Sequence, residues 1–212
     1  MSKPLPALMS REFRAFSVPD LRAEGESGVI QGHAAVFGQE ANIGGWFIEV
    51  IERTAFDKTD FRDVVMTVNH NLQSIPLARS RNNNANSTLQ LSVDDRGLFT
   101  RSVLDIENNS EAKALHSSIA RGDITGMSFI FFIRDAKWEN LDSDLPTRRI
   151  TDIARVIEVS AVSFPAYDGT DISARDQQAL ESARAALESA RSGLVSSNDE
   201  QLEILRLRSQ IL

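Results

Sequence analysis

The sequence predicts an α+β fold, with a strand-rich domain over residues 1–175 and a helical tail over residues 176–212. Short runs of valine, isoleucine and phenylalanine, punctuated by glycine and polar residues, recur up to Pro165, as is typical of strands. Residues 109–124 instead carry apolar residues at helical spacing. From Asp176 onward the composition changes to strong helix formers.

The first part of the domain is predicted to consist of strands joined by turns. Residues 1–10 are expected to be flexible. The polar stretch "ARSRNNNANSTLQ" (78–90) is typical of a surface loop. The following stretch, "LQLSVDDRGLFTRSVLD" (89–105), is typical of a hairpin that turns at "DDRG". Strands are predicted near "EFRAFSV" (12–18) and at "GVIQGHAAVFG" (28–38), "GGWFIEVIERTAF" (44–56) and "VVMTVNH" (64–70).

The second part is predicted to hold a helix followed by strands. In the helix over residues 109–124, Ser110 is the predicted N-cap and Gly122 the predicted stop. Apolar strands are predicted at "ITGMSFIFFI" (124–133) and "RVIEVSAVSFPAY" (155–167), with an irregular hairpin region at 137–153.

Composition excludes several classes of protein. The chain has no cysteine, which removes disulfides, zinc ribbons and thiol catalysis. The net charge of −7 and the pI near 5.0 argue against a nucleic-acid partner. No apolar run is long enough to cross a bilayer, and the first residues do not resemble a secretory signal. We therefore expect a cytoplasmic protein without a membrane partner.

Ser128 is the candidate nucleophile, because an enzyme without cysteine must use Ser, Thr, Lys or a carboxylate for covalent catalysis. It lies within an almost unbroken apolar strand, where a serine can also be a small core residue. The motif G-x-S-x-G is not met, because Ile130 stands where the second glycine would be. A serine nucleophile also needs a base within hydrogen-bond reach.

The histidines are the candidate bases. His116 is expected to be a solvated helix residue, and His33 a half-buried strand residue. His70 closes a predicted strand, and from that position alone a structural role is favoured over a catalytic one. Glu158 lies in the middle of an apolar strand, where an unpaired carboxylate is costly. A salt bridge, a sheet edge and a hydrogen bond to His70 all remain open for it.

Several stretches together resemble the prohead (capsid maturation) serine proteases of tailed bacteriophages, over most of residues 11–175. One such match would be weak, but six in the same order are specific. The matching stretches are "REFRAF" with "VIQGHAAVFG", "FIEVIERTAF", "VNHNLQSIPLARS", "DDRGLFTRSVL", "IARGDITGMSFIF" and "RRITDIARVIEVSAVSFPAYDGTDISAR".

The resemblance implies a fold and a set of site residues. The family is thought to share the fold of herpesvirus assembly proteases, so a β-barrel-like protease core flanked by helices is expected. Ser128 corresponds to the nucleophile, His70 to the general base and Glu158 to the orienting acid of a Ser-His-acid triad. No cofactor or metal is implied. Departures from the family pattern occur at Asn71, Ala78, Ile130 and Arg53-Thr54.

The resemblance also implies a function. The implied function is that of a serine endopeptidase expected to act inside the assembling procapsid, in the cytoplasm of the bacterial host. Expected substrates are scaffold segments of the major capsid protein and the protease itself. The portal is a further candidate partner, and a homo-oligomer is expected. One rival is a catalytically inactive scaffold or assembly chaperone. Another is a hydrolase that uses His33, His70 and a carboxylate around a metal.

The tail carries "LESAR" twice, seven residues apart, which places Leu180, Leu187 and Leu194 on one stripe. Two hypotheses follow from this stripe. It docks on capsid or scaffold partners or pairs two protease chains, or it packs on the chain's own core.

Overall fold

The computed structural model describes the backbone of residues 11–17 and, in full, residues 20–163, 181 and 184–193. The predicted flexible segment 1–10, Leu180, Leu194 and the end of the tail lie outside the described residues. The elements are β1 (Arg11–Ser17), β2 (Arg22–Glu24), β3 (Val29–Val36), β4 (Ala41–Ile43), β5 (Phe47–Ile51), β6 (Asp63–Val68), β7 (Ala78–Arg81), β8 (Leu89–Val93), β9 (Gly97–Val103), α1 (Ser110–Ala120), β10 (Gly126–Glu139) and β11 (Thr147–Val162).

A seven-stranded sheet is organised around the long antiparallel hairpin of β10 and β11. β1 pairs with the other side of β10. β11 is long enough to pair in parallel with two different strands. Its first residues pair with β5, to which β4 is added, and its last residues pair with β6, to which β7 is added. The end of β11 is thus flanked by β10 on one side and by β6 on the other.

A second sheet has four antiparallel strands in the order β2-β3-β9-β8. The main core contains residues from both sheets and from α1, including Ile30, Leu98, Leu115, Phe129 and Val159. The first six residues of β10 are all buried, which agrees with the apolar run in the sequence. The described pairings give two open sheets, so the strand-rich core is confirmed and its barrel-like closure stays a prediction.

Two strand predictions were wrong in length. The hairpin predicted at residues 137–153 is the distal end of a longer hairpin, because β10 continues to Glu139 and β11 begins at Thr147. The distal part of this hairpin is polar and held by cross-strand ion pairs, such as Arg149 with Glu139, so it lacks the apolar signal of a strand. The segment 78–90 begins with the short strand β7 and ends in the first residues of β8, and the predicted loop is confined to residues 82–88.

Helix α1 confirms the predicted helix, with two differences. The N-cap is Asn109 rather than Ser110, since its side chain accepts hydrogen bonds from the N–H groups of Glu111 and Ala112. The predicted stop is confirmed, because Gly122 has a φ of +80° just after the helix. His116 is buried rather than solvated, and its Nε2 has no hydrogen-bond partner among the described residues.

Residues 184–193 form a helix that packs on the chain's own sheet. Leu187 is buried against Phe47 in a small apolar cluster with the side chains of Trp46 and Trp138. Arg191 donates hydrogen bonds to two backbone carbonyls of the loop between β10 and β11, at 2.9 and 3.1 Å. The one leucine of the predicted stripe that lies in the described part of the chain is thus covered within the chain.

Candidate active site

A row of hydroxyl side chains crosses three neighbouring strands at one end of the larger sheet. Ser128 on β10 is the register partner of Ser160 on β11. Ser160 is in turn the register partner of Thr67 on β6. Glu158 lies two residues before Ser160 and therefore on the same face of β11. All four residues are at most 1% exposed, so the row is a polar inclusion in an otherwise apolar layer.

Ser128 is placed close to the start of β10, two residues after Gly126. Its Oγ lies 2.6 Å from Nε2 of His70. Ile130, the next residue on the same face, is fully buried and is the register partner of Glu158. Ile130 therefore lies two residues further along β10 than Ser128, on the same face, and opposite Glu158 on β11.

His70 follows the end of β6 in a left-handed turn. Asn69 and His70 have φ values of +49° and +56°, a region that non-glycine residues adopt rarely. Asn69 stabilises the turn, because its side chain accepts a hydrogen bond from the Ser163 N–H at 2.9 Å and donates one to the Ser163 hydroxyl. The backbone N–H of His70 donates to Oγ of Ser160 at 3.0 Å.

Glu158 is fully buried and lies on the far side of the imidazole from Ser128. Its Oε2 is 2.7 Å from Nδ1 of His70, and its Oε1 accepts a hydrogen bond from Thr67 Oγ1 at 2.5 Å. Of the three explanations left open by the sequence, the structure gives the hydrogen bond to His70. Burial of a carboxylate is tolerated here because both oxygens have partners.

The three predicted site residues thus form one hydrogen-bonded chain in the order serine, histidine, glutamate. Each is contributed by a different strand or strand end, and the parallel pairing of β6 with β11 brings His70 over Glu158. Such a chain is able to move a proton from a hydroxyl to an imidazole whose other nitrogen is held by an acid.

Thr67 and Ser160 are parts of the site to which sequence reasoning gave no role. Ser160 shares a face with Glu158 by strand alternation, and this was the available signal. Thr67 had none, because its proximity depends on a parallel pairing between segments about ninety residues apart.

His33 is buried on the smaller sheet, in a separate cluster with Asp20 and the more exposed Asp94. Its Nδ1 is 2.5 Å from an Asp20 oxygen, and its Nε2 is 3.0 Å from an Asp94 oxygen. Burial raises the pKa of Asp20, but the hydrogen bond and charge of His33 outweigh burial, so the net pKa is lowered. The pKa of Asp94 is also lowered: hydrogen bonds from the N–H groups of Gly97 and Arg96, and then from His33, exceed the effect of burial.

His33 and His70 have different partners and do not form a joint site. Across residues 20–163 and the described helical residues, no group of three His, Asp or Glu side chains is arranged to hold a metal ion. No helix in the described part of the chain is long and apolar enough to span a membrane.

Comparison with known proteins agrees with the resemblance seen in the motifs. The sequence profile of the family described as caudovirus prohead serine protease matches residues 15–184. No curated protein matches the chain. Among solved structures, the capsid assembly protease of bacteriophage T4 is similar with a TM-score of 0.37 and 10% identity, over 72% of this chain and 98% of that one. Because the family profile spans most of the sequence, the chain belongs to the caudovirus prohead serine protease family.

Proposed function

We propose that the chain is a serine endopeptidase of capsid maturation in which Ser128 is the nucleophile, His70 the general base and Glu158 the orienting acid. The observation that carries this proposal is the hydrogen-bonded chain from Ser128 Oγ through both ring nitrogens of His70 to Glu158, with distances of 2.6 and 2.7 Å. It occurs in a member of a serine protease family. Its three residues are also those to which the motif resemblance in the sequence pointed.

The proposed mechanism begins with the direction of each hydrogen bond. Glu158 as a carboxylate only accepts, so Nδ1 of His70 carries a proton and Nε2 presents its lone pair to the Ser128 hydroxyl. His70 then takes the hydroxyl proton as Oγ attacks the carbonyl carbon of the scissile peptide bond. The same proton passes from Nε2 to the leaving amine, and water hydrolyses the acyl-enzyme by the reverse roles.

Glu158 contributes twice in this scheme. Its hydrogen bond selects the tautomer of His70 that can act as a base at Nε2, and its charge stabilises the imidazolium that forms during attack. Because this carboxylate is excluded from water, its interaction with the imidazolium is weakly screened.

Access to the nucleophile is a further part of the proposal. Ser128 is 1% exposed, whereas 14% of the His70 side chain is exposed. A peptide carbonyl must approach within bonding distance of Oγ, so we expect neighbouring chain to move before cleavage. The exposed part of the imidazole marks the side from which a substrate reaches the serine.

The proposed substrates follow from family membership. We infer that the enzyme removes scaffold segments from the major capsid protein and cleaves itself, inside the procapsid in the host cytoplasm. Self-association and contact with the portal remain predictions to which no described residue is assigned.

Co-expression with the cognate capsid protein tests this function. We expect wild type to trim the capsid protein and Ser128→Ala to leave it full length. Ser80→Ala is a matched control, because Ser80 is a buried strand serine of the same sheet whose hydroxyl has no partner among the described residues. Unchanged trimming by Ser128→Ala would refute the nucleophile, and absence of trimming by wild type would favour the inactive-scaffold alternative.

A further inference from the structure

Two buried hydroxyls, those of Thr67 and Ser160, connect the proposed triad to the strand framework. Thr67 Oγ1 contacts Oε1 of Glu158, the carboxylate oxygen that does not face His70. Ser160 Oγ accepts the backbone N–H of His70, and the two hydroxyl oxygens lie 3.1 Å apart. Thr67 is 1% exposed and Ser160 is fully buried, so water does not compete for these hydrogen bonds.

The direction of each of these hydrogen bonds follows from counting protons. A carboxylate offers no proton, so Thr67 spends its single hydroxyl proton on Glu158. The contact between the two hydroxyls therefore requires Ser160 to donate to Thr67 Oγ1. Ser160 remains able to accept the His70 N–H at one of its two lone pairs. The result is a one-way chain from the backbone of His70 through Ser160 and Thr67 to Glu158.

This chain closes on itself. It starts at the backbone of His70 and ends on the carboxylate that binds the ring of the same residue. Hydrogen bonds aligned in one direction polarise one another and strengthen the set. The left-handed backbone of His70, with φ of +56°, is held by one end of the chain, and the orientation of the Glu158 carboxylate is held by the other.

We infer that Thr67 and Ser160 are positioning residues for the proposed reaction. This inference rests on the proposed function and adds to it the groups that fix the geometry of base and acid. Neither residue touches the reacting atoms. Thr67 fixes the plane of the Glu158 carboxylate so that Oε2 faces Nδ1, and Ser160 fixes the turn so that Nε2 faces Ser128.

A purely structural role makes a different prediction from a positioning role. If the hydroxyls served only to fill space and satisfy each other, replacement by apolar residues of similar shape would change stability but not turnover. In a positioning role, loss of the Thr67 hydroxyl leaves Oε1 of a buried carboxylate short of a partner and lets the carboxylate turn. Turnover then falls while substrate binding is retained.

The test compares Thr67→Val, which removes the hydroxyl and keeps the shape, with Thr67→Ser, which restores the hydroxyl. Thr100→Val is the matched control, because Thr100 is also a buried strand threonine whose hydroxyl lies 3.0 Å from the Gly32 carbonyl and 3.7 Å from Met127 Sδ, and not at the carboxylate. Each full-length variant is assayed for kcat and KM on a peptide spanning a capsid cleavage site, and for unfolding in urea.

For Thr67→Val we expect kcat to fall about 10- to 100-fold, the usual range for a hydrogen bond to a charged group, with KM within about twofold. We expect Thr67→Ser to recover kcat to within about threefold of wild type. Thr100→Val should lose stability to a similar degree without losing turnover. Equal kcat losses in Thr67→Val and Thr67→Ser, or in Thr67→Val and Thr100→Val, would overturn the inference.

Three further variants complete the test. If Thr67→Val does not fold, Ser160→Ala replaces it, with Ser80→Ala as its control. We expect kcat to be about tenfold lower in Ser160→Ala and unchanged in Ser80→Ala. Equal kcat in Ser160→Ala and Ser80→Ala would overturn the inference. Ser128→Ala is run beside them: its residual activity reports on the proposed function, whereas full turnover in Thr67→Val with an inactive Ser128→Ala refutes only the positioning role.

Discussion

Glu158 is a carboxylate with no exposure to water, held by one hydroxyl and one imidazole. Neither partner carries a permanent charge, whereas buried charges are ordinarily ion-paired or metal-bound. Burying a carboxylate in this way lowers the stability of the fold. Such a carboxylate is therefore expected where it takes part in a reaction. The register partner of Glu158 on β10 is the apolar Ile130, whose side chain offers the carboxylate no hydrogen bond.

Replacing Glu158 by glutamine tests its proposed role with little change in shape. The amide has one acceptor oxygen instead of two, so it cannot accept hydrogen bonds from Thr67 and His70 in the way that the two carboxylate oxygens do. It also lacks the negative charge that stabilises an imidazolium. We expect kcat to fall by about 10³- to 10⁴-fold, as is usual when the acid of a triad is made neutral. The measurement is steady-state cleavage of a capsid-derived peptide, with folding checked by circular dichroism.

The control for that variant is Glu49→Gln, which neutralises another buried glutamate of the same sheet, on β5. We expect it to lose stability and to keep turnover. A Glu158→Gln enzyme that retained more than about a tenth of wild-type kcat would contradict the assignment of Glu158 as the acid.

At the scale of single residues, the sequence predicts Ser128, His70 and Glu158 through the motifs around them. Their proximity was not predictable from local patterns, because it depends on β6 and β10 lying on opposite sides of β11. The left-handed turn at Asn69 and His70 was also not visible. "VNH" continues a strand pattern, and the turn is imposed by hydrogen bonds to Ser160 and Ser163.

At the scale of elements, the Asp20–His33–Asp94 cluster links the segment before β2, strand β3 and the turn between β8 and β9. Arg96 adds an ion pair to Asp20 at 3.0 Å. Charged groups thus help to join the parts of the smaller sheet at one end. The sequence predicts the hairpin at "DDRG" but not this link, since Asp94 reads there as a turn residue.

This cluster should make stability depend on pH in acid. The pKa values of Asp20 and Asp94 lie below their ordinary value of 3.8, so the folded state binds fewer protons than the unfolded state. Their contribution is therefore complete above about pH 4 and is lost as pH falls through the lowered pKa values. We expect Asp20→Asn to be less stable than wild type at neutral pH and to show a shallower loss of stability below about pH 4.

The measurement is the urea unfolding free energy of both proteins across that pH range. Hydrogen bonds from Arg62 lower the pKa of Asp60 to about 2. This group is present in both proteins, so its titration cancels in the comparison. Parallel pH dependences for the two proteins would show that the cluster does not contribute.

At the scale of the whole molecule, the hairpin of β10 and β11 connects two distant regions. Ser128 lies near one end, and Trp138, ten residues further along β10, lies at the other end beside the C-terminal helix. At about 3.3 Å per residue, the two are about 30 Å apart. The helical tail was predicted from composition. The place where the helix of residues 184–193 packs was not predicted, because it includes the distal end of the β10–β11 hairpin, whose polar strands lack the apolar pattern of a strand.

Because of this separation, we expect undocking of the helix to leave the chemistry unchanged. Leu187→Ala removes the side chain that packs on Phe47, and we expect the amides of residues 184–193 to exchange hydrogen much faster. Peptide cleavage should stay within about twofold of wild type. Leu145→Ala is the control, because Leu145 is an exposed leucine in the loop between β10 and β11. A large loss of kcat in Leu187→Ala would show that the helix influences the site.

The most direct test of the proposed triad is covalent trapping of the nucleophile with a fluorophosphonate, in a preparation that trims capsid protein. The site of modification is then mapped by peptide mass spectrometry. We predict a single adduct on Ser128 in wild type and in Ser80→Ala, and none in His70→Ala, since the serine is activated by that imidazole. An adduct on another residue, or undiminished labelling in His70→Ala, would contradict the account.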